Sequence, residues 1–231
     1  MKRNASGFTL IEIAIVLVII GLLLGGVLKG QELITGARVR NLISQQDGIK
    51  AAFFGFQDRF RALPGDYAAA STNINGVTIN GDGNGRIEGP NVPGTYETLL
   101  AWNHLTSAGF LNGSYTLATS TTSTAVDTNN PKNPYSVYIQ IIYDANYGVT
   151  AGKPLKHNLK TGNQVPVEIV AEVDRKIDDG LPDAGGFQFS PYVPSGTALT
   201  AASCTTAGTP TTWLITGAGG GNTNCGGASL F

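Results

Sequence analysis

The stretch Phe8-Thr9-Leu10-Ile11-Glu12 decides the fold of this chain, because it joins a short basic leader to a long apolar segment. The leader comprises residues 1–7, and residues 13–28 carry no charged side chain. A helix over residues 8–28 would span roughly 31 Å at about 1.5 Å per residue, which matches a bilayer core of about 30 Å. A lone carboxylate at the edge of such a span is costly in lipid, so we expect Glu12 to have a function.

Two simpler interpretations of the apolar segment account for less of the sequence. A secretory signal peptide has an apolar region of about 7–15 residues, followed closely by a small-x-small cleavage site. Here the apolar run is longer, and the triplet Thr35-Gly36-Ala37 lies well beyond its end. A plain membrane anchor would explain the apolar run and the basic leader. It would not explain Glu12, or a small residue, Gly7, placed before the run.

The residues Gly7-Phe8-Thr9-Leu10-Ile11-Glu12, followed by the apolar helix, resemble the prepilin leader of type IV pilins and type II secretion pseudopilins. The resemblance implies that prepilin peptidase cuts between Gly7 and Phe8 and then methylates the new amine of Phe8. It also implies that Glu12 is the conserved glutamate of the family, at the fifth position of the mature chain. We expect Glu12 to pair with the amine of a neighbouring subunit during assembly, which offsets the cost of burying both charges.

The sequence predicts a cleaved leader at residues 1–7, a transmembrane and filament-core helix at 8–29, an amphipathic continuation at 30–62 and a head at 63–231. The second half of the helix is predicted by an apolar stripe at helical spacing. Its members are Leu42, Ile49, Phe53, Phe56, Phe60 and Leu63. Pro64-Gly65 is expected to end the helix.

The head is predicted to be α+β, with a small antiparallel sheet and long loops, as in pilins. Periodicity and end signals predict helices over residues 96–108 and 166–177. Alternating or β-rich runs predict strands over residues 135–143, 187–193 and 213–216. Loops rich in Gly, Asn, Ser and Thr separate these segments, and the chain contains 31 glycines.

Both cysteines, Cys204 and Cys225, lie near the end of the sequence. An exported head meets an oxidising compartment, where a disulfide is the expected state and two free thiols are the alternative. The resemblance supports the disulfide, because pilins commonly close a C-terminal loop in this way.

The loop Asn80-Gly81-Asp82-Gly83-Asn84-Gly85-Arg86-Ile87-Glu88 resembles the opening of an EF-hand-like calcium loop. Its candidate Ca²⁺ ligands are Asn80, Asp82, Asn84 and Glu88. The loop departs from that pattern because Asn80 replaces the usual Asp and Asn91 replaces the closing Glu, although Asp66 could add a charge. The alternative is a tight Asn/Gly/Asp turn without a metal.

Composition and motifs argue against several other functions. The formal net charge is −1, and no basic stripe with interleaved aromatic residues is present, so we predict no dedicated nucleic-acid domain. Nucleophile-elbow, phosphate-loop and His-Glu-x-x-His motifs are absent from the sequence. The two histidines lie in unrelated contexts, and His104 is expected to be packed in the core. We therefore predict that the protein is not an enzyme.

The resulting prediction is a structural subunit of a type IV pilus or pseudopilus-like filament. Its expected partners are copies of itself or related pilins through helix 8–62, prepilin peptidase and the inner-membrane assembly machinery. The chain would lie in the inner membrane before assembly, and in a periplasmic pseudopilus or a cell-surface pilus afterwards. The alternative is a minor tip pilin whose head binds a surface, DNA or a secreted cargo.

Overall fold

The computed structural model describes residues 9–89, 96–117, 124–215 and 221–231. Its contacts divide the chain into two compact units, Met1–Arg38 and Val39–Phe231. The first helix, α1 (Leu10–Phe60), contributes residues to both units. The second unit contains the remaining helices and a four-stranded sheet, so the α+β class predicted from the sequence is confirmed.

In the first unit, the apolar side chains of α1 are not buried by any residue that the structure describes. All large hydrophobic residues from Leu10 to Leu28 are exposed. Among the residues described, α1 is the one helix long and apolar enough to cross a membrane, with a mean hydropathy of 2.8 in its most apolar window. A surface-exposed ion pair, Lys29 Nζ to Glu32 Oε2 at 2.7 Å, follows the apolar run. Such a helix needs lipid or other helices to cover it.

In the second unit, α1 buries one stripe of side chains in the head. The buried positions are Val39, Leu42, Gln46, Ile49, Ala52, Phe53 and Phe56. Apart from the adjacent pair Ala52 and Phe53, they are spaced three or four residues apart, as on one helix face. The predicted stripe is therefore confirmed, with Phe60 and Leu63 partly buried at its end. The helix ends at Phe60 because Arg61 adopts a left-handed conformation with φ of 53°.

The sheet is antiparallel throughout, with strand order β1-β2-β4-β3. Its strands are β1 (Gln140–Asp144), β2 (Lys156–Lys160), β3 (Phe187–Phe189) and β4 (Gly227–Leu230). The other helices are α2 (Ala70–Asn73), α3 (Glu97–Ser107), α4 (Val167–Ile177) and α5 (Ala201–Cys204). The bounds of α3 and α4 confirm the two helices predicted in the head.

The predicted strands are longer than those observed. The first begins at Gln140. Upstream, Ser136 has a φ of 63° that no regular strand contains, and Tyr138 forms only an isolated bridge with Lys132. The strand at Phe187 stops at Phe189, shortly before Pro191, which has no backbone donor for a ladder. The third prediction, residues 213–216, is wrong over its described part, where Trp213 forms only an isolated bridge with Thr205.

Two strands were not predicted, because neither carries an alternating apolar pattern. Strand β2 has the sequence Lys-His-Asn-Leu-Lys, and strand β4 has Gly-Ala-Ser-Leu. Strand β4 is nevertheless flanked by β2 and β3. At Gly227 an added Cβ would lie 2.2 Å from the ring of Phe187, so this inner position requires glycine.

Two main hydrophobic clusters hold the head together. One joins the Val39 end of α1 to α4, β3 and the cysteines. The other joins Phe53 and Phe56 of α1 to Trp102 of α3 and to the first two strands. Helix α3 is thereby fixed against α1, with its first turn beside the loop that carries the predicted calcium ligands.

Candidate functional site

The start of α1 is closed by reciprocal hydrogen bonds between Thr9 and Glu12. The Thr9 N–H and Oγ1–H donate to Glu12 Oε2 at 2.8 and 2.7 Å, and the Glu12 N–H donates to Thr9 Oγ1 at 3.3 Å. This arrangement is a capping box, and the Thr-x-x-Glu spacing is its sequence pattern. Glu12 thus has a role within its own helix. The predicted processing residues Gly7 and Phe8 lie outside the described residues.

Three carboxylates converge beside the first turn of α3. Asp66 follows the end of α1, Asp82 lies in the predicted calcium loop, and Glu97 is the first residue of α3. One oxygen atom from each lies within 4.8 Å of the others. Asp66 is 3% exposed and Glu97 is 1% exposed, whereas Asp82 is open to solvent. We call these three residues the carboxylate cluster.

The loop after Asp66 folds back around the Asp66 carboxylate. The Asn84 N–H donates to Oδ1 and the Gly85 N–H to Oδ2, both at 2.9 Å. The Gly83 N–H donates to the backbone carbonyl of Asp66 at 2.9 Å. Gly85 has a φ of 83°, which glycine adopts without strain. The glycines of the loop therefore allow its backbone to enclose a buried carboxylate.

Glu97 ties the same loop to helix α3. Its Oε1 accepts from the Asp82 N–H and its Oε2 from the Glu88 N–H, both at 3.1 Å. An added Cβ at Gly81 would lie 2.3 Å from the backbone carbonyl carbon of Asp66, so the close approach of the two chain segments requires glycine. The loop is fixed at several points rather than free at the surface.

The environment of the cluster favours protonated carboxyl groups in the absence of a cation. Burial raises the pKa of Asp66 to about 6, and the nearby Asp82 carboxyl adds to this increase. Burial also raises the pKa of Glu97 to about 7, with repulsion from Asp66 and Asp82 acting in the same direction. Backbone hydrogen bonds oppose both shifts. A bound cation would remove this repulsion.

The predicted calcium ligands are only partly brought together. The Asn84 Nδ2–H₂ group donates to Asp82 Oδ2 at 2.9 Å and to Glu88 Oε2 at 3.0 Å. The Asn80 Oδ1 instead accepts from the Ser71 N–H at 2.8 Å. Asn91 lies outside the described residues. The sequence analysis did not include Glu97 among the candidate ligands. The only sign of it in the sequence is an acidic residue in the first turn of a predicted helix.

We expect the pH dependence of stability to reveal the buried state of Glu97. The pKa of Glu97 in the folded protein lies above its ordinary value. Its protonated carboxyl group therefore stabilises the fold fully below pH 4.5, and this stabilisation is lost as the pH rises through about 7. In EDTA, Glu97→Gln should remove a negative slope of unfolding free energy against pH between about pH 4.5 and 7. Chemical denaturation of both proteins across this range measures the slope. Parallel pH profiles would contradict the prediction.

His104 has a structural role, as predicted. It is fully buried, and its Nδ1 accepts from the Gly65 N–H at 3.0 Å while Nε2 lies 3.3 Å from the Ile79 carbonyl. Its ring stacks on Phe56 with 6.1 Å between centroids. Burial lowers the pKa of His104 to about 4, so the ring stays neutral. His104 therefore attaches α3 to two points of the loop that contains Asp66, Gly65 and Ile79.

A second group of acidic residues at the end of α4 accepts hydrogen bonds from neighbouring protein groups. It contains Asp174, Asp178 and Asp179. Asp174 is buried and accepts from the Trp213 indole N–H at 2.7 Å. Asp178 Oδ2 accepts backbone N–H groups of Gly186 and Phe187. These contacts fit a role in closing the helix and fixing the segment that follows it.

The cysteines form the predicted disulfide. Cys204 and Cys225 are both fully buried and are joined across a sequence separation of 21 residues. Cys225 also forms a bridge with Val165, with hydrogen bonds between their backbones at 2.9 and 3.1 Å. The disulfide therefore links α5 to the segment preceding α4.

The fold and the N-terminal segment together define a class of protein, in which a long helix with an apolar, exposed first part is followed in the sequence by a small α+β head. Residues 2–28 match the family model described as the prokaryotic N-terminal methylation motif. This motif is the signature of type IV pilins and pseudopilins, so the resemblance found in the leader is confirmed over these residues. No curated protein and no solved structure shows significant similarity to the chain.

Proposed function

We propose that this chain is a structural, non-enzymatic subunit of a type IV pilus or pseudopilus-like filament. The observation that carries the proposal is the methylation motif at residues 2–28, which includes the exposed apolar part of α1. Cleavage before the apolar run would leave the helix on the mature protein, unlike cleavage of a secretory signal peptide. The helix would then serve first as an anchor and later as the packing surface of the filament.

The physical basis is the apolar surface of α1. Apolar area removed from water stabilises by roughly 25 cal/mol per Å², and residues 10–28 present side chains of this kind on every face. Lipid covers such a surface before assembly, and helices of neighbouring copies can cover it afterwards. The part of α1 from Val39 onward is already packed in the head, so the head can keep its fold while its anchor changes surroundings.

The proposed partners and locations follow from this role. Prepilin peptidase would act on the leader, and the inner-membrane machinery would extract the processed subunit. The subunit would pack against copies of itself or related pilins through helix 8–62. It would reside in the inner membrane first, and then in a periplasmic pseudopilus or a surface pilus. The number of copies per filament distinguishes a main subunit from a minor tip subunit.

We expect sheared filaments to contain this chain in a form that begins at N-methylated Phe8. The reason is the position of Gly7 directly before the apolar run. Electron microscopy of the sheared fraction, combined with intact and peptide mass spectrometry, tests assembly and processing together. Replacing Gly7 with valine should leave the leader in place and the protein in the membrane fraction. A mature start near Ala37, or a sheared fraction without this chain, would contradict the proposal.

We infer a second property, Ca²⁺ binding by the carboxylate cluster. The donors fit a hard cation, since Asp66, Asp82 and Glu97 offer oxygen atoms within 4.8 Å and the adjacent loop has the alternating Asn/Asp pattern of calcium loops. Bound Ca²⁺ would neutralise carboxylates that repel one another. The residues that would hold it are the three carboxylates. The Asn84 amide joins Asp82 to Glu88, because it donates to a carboxylate oxygen of each.

We expect Ca²⁺ to raise the melting temperature of the mature chain in micelles, because binding to the folded state alone stabilises it. Asp82→Asn should abolish this increase while leaving the fold intact, since Asp82 is exposed. Asp58→Asn, which changes an exposed carboxylate on α1, is the matched control and should respond like the unaltered protein. Thermal unfolding in EDTA and in millimolar Ca²⁺ provides the measurement. Equal melting temperatures in both conditions would contradict Ca²⁺ binding and would indicate that the loop is a turn without a metal.

A further inference from the structure

An open groove lies in the head beside the exposed side of α1. Ser44 and Gly48 of α1 line one side of it, and the partly buried Phe110, Leu111 and Tyr115 line the other. Its volume of about 440 Å³ is sufficient for a large side chain. An added Cβ at Gly48 would meet no atom within 4 Å, so the space above this residue is free. We call this feature the α1 groove.

An exposed aromatic side chain, Phe54, projects from another side of the same helix. From Val39 to the end of α1, it is the one large hydrophobic residue that is exposed, with 50% of its surface accessible. Its ring is nevertheless held edge-on against Phe53 and Phe231, with centroids 5.5 and 5.9 Å apart. An ordered aromatic ring at the surface is the kind of residue that anchors an interface between proteins.

The spacing of Phe54 and Gly48 determines the kind of contact that they can make. Six residues correspond to about 9 Å along a helix and place the two positions roughly 120° apart around it. Phe54 therefore points away from the α1 groove of its own chain, and a contact between them joins two copies. Such a contact uses different surfaces of the two copies, so each copy keeps one free surface of each kind. The association can then continue as an open polymer.

Two charged residues on the exposed part of α1 fit the same arrangement. Arg40 is exposed and forms no ion pair with any residue that the structure describes. Asp47 is also exposed, and its Oδ1 lies 4.0 Å from Lys50 Nζ, the outer limit of an ion pair. A second copy displaced by about 10.5 Å along α1 would bring its Arg40 level with Asp47 of the first copy. This displacement is close to the one that brings Phe54 to the α1 groove.

The pairing proposed for the start of α1 requires a displacement in the same direction. There, Glu12 of one copy meets the amine of Phe8 of the next copy, so a later residue of the first chain faces an earlier residue of the second. The aromatic contact and the charge pair in the head follow the same order. One direction of stacking is therefore compatible with all three contacts.

We propose that Phe54 of one copy inserts into the α1 groove of the next copy, where Arg40 of the second copy meets Asp47 of the first. The proposal rests on the filament role and adds to it a contact between heads that sets the axial step of the polymer. The partner is a second copy of this chain, because the aromatic ring, the groove and the complementary charges all occur on one chain at matching spacings.

Gly48→Leu tests the groove while sparing the fold of the head. The new side chain has free space in its own chain, and replacing glycine favours a helix. Because leucine would fill the α1 groove, incorporation into sheared filaments should fall about tenfold. Gly48→Ala is the matched control, since it also favours the helix but leaves most of the groove open. It should be incorporated like the unaltered chain. Phe54→Ser should be excluded as strongly as Gly48→Leu, and Phe54→Leu less so.

Exchange of charges tests the register of the contact. Arg40→Glu should reduce incorporation, because the new carboxylate would face Asp47 of the adjoining copy. Adding Asp47→Arg should restore incorporation. Adding Asp58→Arg instead gives the same net charge but places the cation eleven residues further along α1, and it should not restore incorporation.

Cysteine pairs measure the contact directly in assembled filaments. A chain that carries both Gly48→Cys and Phe54→Cys should give a ladder of covalent multimers when sheared filaments are treated with a short bismaleimide. Each single variant should stay monomeric. The native cysteines do not interfere, because they are joined in a buried disulfide. The pair Gly48→Cys and Arg40→Cys requires the opposite direction of stacking and should give no ladder.

Different outcomes separate this contact from the filament role. Normal incorporation of Gly48→Leu, or filaments of the double-cysteine chain that give no ladder, would overturn the contact and leave the filament role intact. Covalent dimers from Phe54→Cys alone would show that like surfaces meet, which would also overturn it. A sheared fraction without the unaltered chain would overturn the filament role and this contact together. If a substitution lowers the melting temperature of the mature chain in micelles, the cysteine pairs decide the question.

Discussion

Glu12→Leu is expected to abolish most incorporation of this chain into filaments while its membrane insertion and the fold of its head remain intact. In a filament, the Glu12 carboxylate would enter an apolar bundle, where it needs the amine that cleavage creates at Phe8 of a neighbouring copy. The head is independent of this residue, since its cores begin at Val39. Counting subunits by quantitative mass spectrometry of sheared filaments measures the effect.

The capping box makes a sharper control available. Glu12→Gln keeps a side chain that can complete the box with Thr9, yet it carries no charge. If Glu12 acts through its charge, the Gln and Leu variants should be excluded from filaments to a similar degree. If it acts only by closing the helix, the Gln variant should assemble and the Leu variant should not. Incorporation of both at the level of the unaltered chain would refute any assembly role.

Asp144→Ala is expected to destabilise the head by about 3–5 kcal/mol, because it leaves the buried ammonium of Lys160 without its partner. Lys160 is 1% exposed, and its Nζ lies 2.5 Å from Asp144 Oδ2. Burial lowers the pKa of Lys160, and the Asp144 charge counteracts that shift. The Asn158 Nδ2–H₂ group donates to the other carboxylate oxygen at 2.9 Å. Urea unfolding followed by tryptophan fluorescence measures the change.

Two further variants separate the burial of Lys160 from the ion pair itself. Lys160→Met combined with Asp144→Leu should recover most of the lost stability, since apolar side chains can replace a buried pair. Asp127→Ala breaks an exposed pair with Lys132 at 2.6 Å and should change stability little. Equal effects of Asp144→Ala and Asp127→Ala would show that Lys160 is not held in a dry environment.

The features that could be predicted from the sequence are those with a local or periodic signal. The apolar composition of residues 8–28 predicts a helix long enough to cross a membrane. The helical spacing of apolar residues from Leu42 to Phe60 predicts its buried continuation. The disulfide followed from there being two cysteines in an exported head. Helices α3 and α4 had clear starts and ends. Each of these signals lies within a short stretch of chain and needs no knowledge of distant contacts.

The features that escaped prediction depend on residues distant in sequence. Strand β2 contains Asn158 and Lys160, whose burial is possible only because Asp144 lies on the neighbouring strand. Strand β4 contains small residues that suit an inner position between two other strands. Glu97 became part of the carboxylate cluster because α3 packs beside the loop after Asp66. In each case a polar or small residue is placed by tertiary contacts that composition alone does not encode.

The inner position of β4 has a consequence for how the protein is made. In the proposed export of this chain from the leader onward, the anchor helix would enter the membrane before Gly227–Leu230 reach the far side. Until then, β2 and β3 have no strand between them, and the backbone groups that β4 pairs remain exposed to solvent or to chaperones. If the chain is exported and assembled as proposed, the sheet of its head would be completed only after translocation, when β4 pairs with β2 and β3.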